Sequence, residues 1–294
     1  MLNQIQKRLQ KFFLVDHLDV QQTPVNGGDI HQNYILHLSG VAGVPEKVFA
    51  KINSGADMQV LKSEFEALQV INQLLPNVYP KPLLIEKYDG QSALVIEFHE
   101  IGSLTRFNSP EVGTVLARQH QIIHEQFGWV SDNYIGLTPQ KNEWCSLWVD
   151  FFREQRLIPI LAFAKEKSLS DSSAKKIELL IDKLDVLLNH KVVPSLVHGD
   201  LWSGNLGIDR QTNRPILFDP APYFGDRETD IAITELFGKQ PMEFYQAYQE
   251  VLPTEAGYEQ RKHVYNLYHA LNHVALFGSS YQGLVDNCLQ AIDV

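Results

Sequence analysis

Between Leu196 and Asp219 the chain alternates short apolar pieces, Leu196-Val197, Leu206-Gly207-Ile208 and Ile216-Leu217-Phe218, with turn-forming polar residues. Pieces this short cannot be buried as helices and read as short strands of a β-ribbon that holds a loop. The loop is His198-Gly199-Asp200-Leu201-Trp202-Ser203-Gly204-Asn205, and Asp219-Pro220 follows fourteen residues after Asn205. Any one of these polar residues alone reads as a turn residue capping nearby backbone groups. The ordered series Asp, Asn, Asp, with a strand on either side, calls for more than a turn.

The rest of the chain arranges itself around this segment. Leu2, Ile5, Leu9, Phe12 and Phe13 fall at helical spacing, so Met1 to His17 reads as an amphipathic helix docked on the body. Asp29–Leu38, Lys47–Ile52, Leu83–Glu86 and Ala93–Phe98 read as strands, with a helix over Asp57–Leu74 between the second and third. After Phe98 the pattern turns helical, over Glu111–Glu125, Trp144–Lys167, Ala174–His190, Thr229–Leu236 and Gly257–Phe277. The expected architecture is α+β and two-lobed. A small N-terminal sheet lobe with one inserted helix spans residues 1–98, and a larger, mostly helical lobe spans 99–294.

The loop has the residue types that phosphoryl transfer requires. A carboxylate must orient the attacking hydroxyl and accept its proton, and oxygen ligands must hold Mg²⁺ across the phosphates of ATP. Asp200 suits the first role, and Asn205 with Asp219 the second. The step from Asp200 to Asn205 matches H-R-D-x-x-x-x-N of protein kinases, while Asp-Pro stands where D-F-G would be and no Arg follows the His. The chain therefore reads as a kinase, though not a protein kinase. Upstream, Val48-Phe49-Ala50-Lys51-Ile52 puts one ammonium into an apolar strand, where it needs anionic partners. ATP phosphates and a helix carboxylate meet that need. Glu64 is the chosen carboxylate and Glu66 the other candidate, since neighbours on a helix point in different directions. Gly27-Gly28 would let backbone N–H groups approach phosphate, although paired glycines before a strand also make an ordinary turn. Backbone groups of Glu97, Phe98 and His99, where an apolar strand turns polar, are candidates to pair with adenine.

With these residues in place the chain resembles the fructosamine kinase (ketosamine-3-kinase) family, within the aminoglycoside-phosphotransferase-like branch of the protein-kinase-like fold. The resemblance extends through Gly27-Gly28-Asp29-Ile30, Asn133-Tyr134-Ile135-Gly136, Pro139-Gln140 with Asn142 and Trp144, and Arg156-Leu157. It continues through Asp219-Pro220-Ala221, Tyr223, Gly225-Asp226-Arg227-Glu228, Asp230, Thr234-Glu235-Leu236-Phe237-Gly238, and Tyr268-His269 with Leu271-Asn272-His273. It implies ATP- and Mg²⁺-dependent phosphorylation of the sugar 3-hydroxyl of a ketosamine, which labilises the adduct and serves deglycation, a form of protein repair. The implied roles are Asp200 as base, Asn205 and Asp219 on the metal, Lys51 on phosphate, Glu64 anchoring Lys51, and His198 orienting the loop. The glycated amine is either a free amino acid or a protein lysine.

A sugar-amine acceptor needs a flat apolar surface, hydroxyl partners and an anion near its nitrogen. Trp202, beside the base, is the stacking candidate; Asp226, Arg227, Glu228, Asn133, Gln140 and Trp144 are further candidates, each with structural support as an equal reading. Asp230 reads either as a helix cap and buttress of the loop or as an acceptor contact. Where some relatives carry a cysteine in the glycine-rich loop this chain has Asp29, so thiol-based regulation is not transferred.

A formal net charge of −10 and no dense basic run argue against a nucleic-acid surface. Two cysteines, Cys145 and Cys288, with no C-x-x-C spacing, suggest neither a disulfide framework nor a zinc site. With no membrane-length apolar run and no signal-peptide pattern at the start, a cytoplasmic enzyme is expected. The alternatives are a kinase for another small alcohol, such as an aminoglycoside or choline, and a nucleotide-binding pseudokinase. Retention of Lys51, Asp200, Asn205 and Asp219 argues against the last.

Overall fold

The computed structural model describes residues 1–25, 31–54 and 58–292. The chain forms two compact units, residues 1–102 with 209–218, and residues 103–208 with 219–294. The N-terminal unit thus runs past the expected 98/99 boundary to Gly102 and also takes in residues 209–218, fourteen residues in all that were assigned to the C-terminal lobe.

The first unit is an antiparallel sheet of β1 (Asp19–Val25), β2 (Gln32–Ser39), β3 (Lys47–Ser54), β4 (Pro82–Tyr88) and β5 (Gln91–Glu97), in the order β1-β2-β3-β5-β4. Side chains alternate across the pleat. On one face Leu36, Leu38, Val48, Ala50, Ile52, Ala93 and Val95 pack with Ile5 and Leu9 of α1 (Leu2–Phe13). Complete burial of an Ile or Leu side chain stabilises by about 1.5–3 kcal/mol, so two such residues suffice to dock a three-turn helix. The helix is shorter than Met1–His17: Leu14 turns left-handed at φ 56° and ends it, and Phe12, expected on the docked face, is half exposed. The alternation places Lys51 on the opposite face, where α2 (Met58–Leu74) lies. The sequence reading missed β1 because Gln21-Gln22-Thr23-Pro24 has no apolar alternation. It is an edge strand, mostly exposed, where a proline is tolerated. The strand expected over Asp29–Leu38 is Gln32–Ser39, and residues 26–30 lie outside the described residues.

In the second unit the helix Tyr258–Phe277 is buried on most of its circumference, from Val264 to Ala275, and packs against Ile158–Lys167, Glu228–Leu236 and Gln282–Ala291. The stretch expected as one helix over 144–167 begins at Trp148 and passes through a π-helical turn, Arg153–Leu157, before Ile158–Lys167. That turn carries Arg156 into the interior, its guanidinium 4.6 Å from the Phe151 ring centroid and 4.2 Å from that of Tyr223. The helix expected over 174–190 breaks into Asp171–Ile181 and Leu184–Leu187, and that expected over 111–125 is α3 (Ser109–His120). Met242–Val251 and Gln282–Ala291 were not anticipated. No helix among the described residues is long and apolar enough to cross a membrane.

α3 packs closely on the helix Met242–Val251 through Gly113, where an added Cβ would stand 2.2 Å from the Phe244 carbonyl oxygen. Backbone cannot yield as a flexible side chain can. Gly113→Ala is therefore expected to cost about 1–3 kcal/mol, seen as a lower urea midpoint with an unchanged m-value.

Candidate functional site

Two strands bring the halves of the motif together. Ser195–Val197 leads into the loop, Tyr223–Gly225 follows Asp219-Pro220, and they pair antiparallel with Tyr223 opposite Val197. The Ala221 N–H donates to the His198 carbonyl at 2.9 Å, and a Cβ on Gly199 would fall 2.1 Å from the Ala221 carbonyl oxygen. Gly199 also has φ +83°, so both space and conformation demand glycine there.

Beneath the turn lies Asp230. Its Oδ2 accepts from the His198 N–H at 2.6 Å, its Oδ1 from the Gly199 N–H at 2.9 Å, and His120 Nε2 is 3.1 Å from Oδ2. Burial alone would lift the Asp230 carboxyl. The hydrogen bond and charge of His120, with His198, outweigh it and hold the group below the usual carboxylate range. Of the two readings of Asp230, buttressing the loop is the one its contacts describe. His120 Nδ1 in turn is 2.8 Å from the Tyr248 hydroxyl.

Asp200 projects from the supported turn. Asn205 Nδ2 donates to its carbonyl at 2.9 Å and to its Oδ2 at 3.2 Å, which leaves Oδ1 as the acceptor end of the amide. The residue keeps some solvent contact, yet protein encloses the carboxylate. Burial, then the charges of Asp219 and Asp230, push it up to about 8, against a smaller opposing effect of Asn205. Asp219 is held in the left-handed region at φ 56°, a conformation that costs a non-glycine residue about 1–2 kcal/mol. Trp202, 40% exposed, lays its ring over Gly204, where a Cβ would be 2.2 Å from the indole, and meets Phe237 edge-on.

In the first unit Lys51 Nζ lies 2.7 Å from Glu64 Oε1, with the side chains 5% and 11% exposed. Glu66 instead faces Lys62 at 3.5 Å on the outside of α2, so the choice between the two glutamates falls on Glu64. The Glu97 N–H donates to the Lys81 carbonyl and is not available to a base. The Glu97 carboxylate accepts from the Lys81 N–H, the Phe98 ring lies 5.5 Å from Lys47 Nζ, and His99 Nδ1 is 2.8 Å from Asp209 Oδ2. Gly27 and Gly28 lie outside the described residues.

The model of the fructosamine kinase family matches residues 1–293. The chain belongs to that family. A "Probable ketoamine kinase" of Synechocystis sp. is 41% identical over 264 residues, covering 89% of this chain and 86% of the relative. A chloroplastic protein-ribulosamine 3-kinase of Arabidopsis thaliana is 36% identical, covering 91% and 82%. The crystal structure of a protein assigned as a fructosamine-3-kinase from Haemophilus somnus superposes with a TM-score of 0.87 at 28% identity, covering 99% of this chain and 97% of that one. The fold is the protein-kinase-like fold of these enzymes and of the aminoglycoside phosphotransferases. As a family member the chain is a phosphotransferase acting on a hydroxyl, with ATP as donor.

Several acceptor candidates have protein partners in the structure. Asn133 Nδ2 donates to the Pro222 carbonyl at 2.8 Å, and Gln140 Nε2 to the Tyr268 hydroxyl at 2.8 Å. Trp144 stacks on His124 at 4.3 Å. Asp226 lies 2.7 Å from His190 Nε2 and accepts from the Tyr265 hydroxyl and the Glu228 N–H. Glu228 is held by both Arg261 Nε and Nη2 at 2.9 Å. Arg227 donates to the Tyr248 hydroxyl and to the Leu252 and Pro253 carbonyls. Sequence reasoning did not single out Tyr248 or Arg261. Their signal was a polar residue inside an apolar helical face, which a satisfied core residue gives equally well.

Asp230→Asn would set an NH₂ against one of the donors that the carboxylate now satisfies. It is expected to cost about 3 kcal/mol or more of stability and to lower kcat at least as much as ATP affinity. Denaturant melts beside steady-state kinetics check this.

Proposed function

We propose that this chain transfers the γ-phosphate of ATP to the 3-hydroxyl of a ketosamine, as a step in deglycation. Family membership supports donor and acceptor class, and the ribulosamine 3-kinase activity for which the Arabidopsis relative is named supports the 3-position. The observation that carries the mechanism is the Asp200 carboxylate, fixed on a turn that Asp230 holds by two backbone N–H groups.

In this reading the acceptor oxygen attacks the γ-phosphorus, the bond to the bridging oxygen breaks, ADP leaves, and Asp200 takes the hydroxyl proton. Burial holds this carboxylate above its usual range, so it accepts a proton more readily than a free one. The Asn205 amide oxygen and the Asp219 carboxylate are hard oxygen donors. Together with the mutual repulsion of Asp200, Asp219 and Asp230, they fit a divalent cation such as Mg²⁺. When bound, that ion neutralises charge on the phosphates. Lys51, oriented by Glu64, contacts phosphate, and Trp202 offers its exposed face to the sugar. The amine is that of a free glycated amino acid or of a protein lysine.

Purified protein with Mg²⁺ and ATP is expected to consume ATP with ribuloselysine or fructoselysine and to yield a 3-phosphate by NMR. Turnover of choline or kanamycin alone would overturn the acceptor. Asp200→Asn is expected to lower kcat by about 10²–10⁴-fold with the melting temperature preserved or raised, since it removes a like charge; an unchanged kcat would remove Asp200 from the mechanism.

A further inference from the structure

The His99 side chain joins the 97–99 segment to the distant hairpin of the first unit. Nδ1 lies 2.8 Å from Asp209 Oδ2, and Nε2, buried and without a hydrogen-bond partner, faces Glu97 Oε2 at 3.8 Å. Each carboxylate is itself fixed. Asp209 Oδ1 accepts from the Gln211 N–H at 2.8 Å and shapes the turn, and the Asn213 N–H donates to the Asp209 carbonyl at 2.7 Å. Glu97 accepts from the Lys81 N–H at 3.1 Å, with Lys81 Nζ at 3.6 Å. The same hairpin is stitched to this unit twice more, by Arg210 N–H to the Glu100 carbonyl and Leu217 N–H to the Val78 carbonyl, both at 2.8 Å. Other charges on these elements are matched elsewhere, Arg210 with Glu100 at 3.6 Å and Lys47 over the Phe98 ring.

We propose that the Asp209–His99–Glu97 clamp makes His99 a positioning residue for the nucleotide, holding the base-reading segment after β5 to the hairpin 209–218. The proposal rests on the nucleotide reading of that segment given above. The hairpin matters because of its place in the chain: four residues before Asp209 is Asn205, and the residue after Phe218 is Asp219. A neutral imidazole can donate from one nitrogen alone, whereas the protonated ring can serve both carboxylates. Burial pushes His99 down, but Glu97 and Asp209 outweigh it and hold the imidazole above the ordinary histidine value. The protonated clamp is therefore favoured over that of an ordinary histidine and is lost as pH rises through the raised value.

The test is ATP affinity by calorimetry, together with KM for ATP and kcat, on full-length wild type, His99→Leu, His99→Gln and Asp209→Asn. Losing a charge-assisted hydrogen bond predicts about a tenfold weaker ATP affinity for His99→Leu, with kcat at saturating ATP changed less than KM. His99→Gln, which keeps a donor, should recover part of the loss. Wild-type affinity should show a limb that falls as pH rises through the raised His99 value, and that limb should be missing in His99→Gln. Asp209→Asn combined with His99→Leu should be less than additive. If wild type binds ATP and His99→Leu binds it equally well, or loses only melting temperature, the clamp is structural and the proposal fails. If wild type binds no ATP, the nucleotide reading itself fails. Should His99→Leu not fold, the Gln variant and the wild-type alkaline limb decide; a limb that persists in His99→Gln overturns the role.

Discussion

The geometry of the whole second unit converges on one buried carboxylate. Asp230 accepts both N–H groups of the turn that presents Asp200, and such a pair of charge-assisted bonds in a low-dielectric setting fixes the turn far better than neutral partners would. The anion is compatible with burial because His120 stands against it, and His120 is in turn placed by Tyr248, whose hydroxyl also receives Arg227. The position of a single loop carboxyl is thereby tied to α3 and to the helix Met242–Val251, both remote in sequence. Helix packing and loop geometry are one problem in this unit.

A second polar lattice performs a similar task without touching the loop. His190, Asp226, Tyr265, Glu228 and Arg261 bring opposite charges together under the start of the helix Glu228–Leu236. A buried pair of this kind adds little net stability over an apolar equivalent, but removing one member strands the other. Its effect is register: Arg261 meets both Glu228 oxygens in one alignment of two helices. That accounts for the Gly-Asp-Arg-Glu string better than acceptor binding does.

The loop, its spacing and Lys51 within β3 were legible because each violates a local rule: an ion in an apolar strand, or carboxylates beside short strands. The identity of the Lys51 partner was not, since Glu64 and Glu66 are separated by a helical rotation that only packing fixes. The edge strand Asp19–Val25 and the helix Met242–Val251 were missed for opposite reasons. The strand buries too little to show alternation, and the helix has few buried residues, chiefly Phe244 and Tyr248, to reveal its face. The break in the helix over residues 144–167 was hidden because a π-turn changes the hydrogen-bond register without changing residue type. Asp226, Arg227 and Glu228 stayed between two readings because a charged string shows that partners exist but not whether they are protein or ligand.

The hairpin 209–218 completes the N-terminal unit although it is encoded far downstream of it. During synthesis the sheet of β1 to β5 emerges early, but the chain it must receive follows more than a hundred residues later. Domains that fold as contiguous blocks mature in order from the ribosome. Here the first unit cannot reach its final form until residue 218 has emerged, and no single cut of the gene separates the two units intact. The unit built first is finished late, which binds the inheritance of the two halves together.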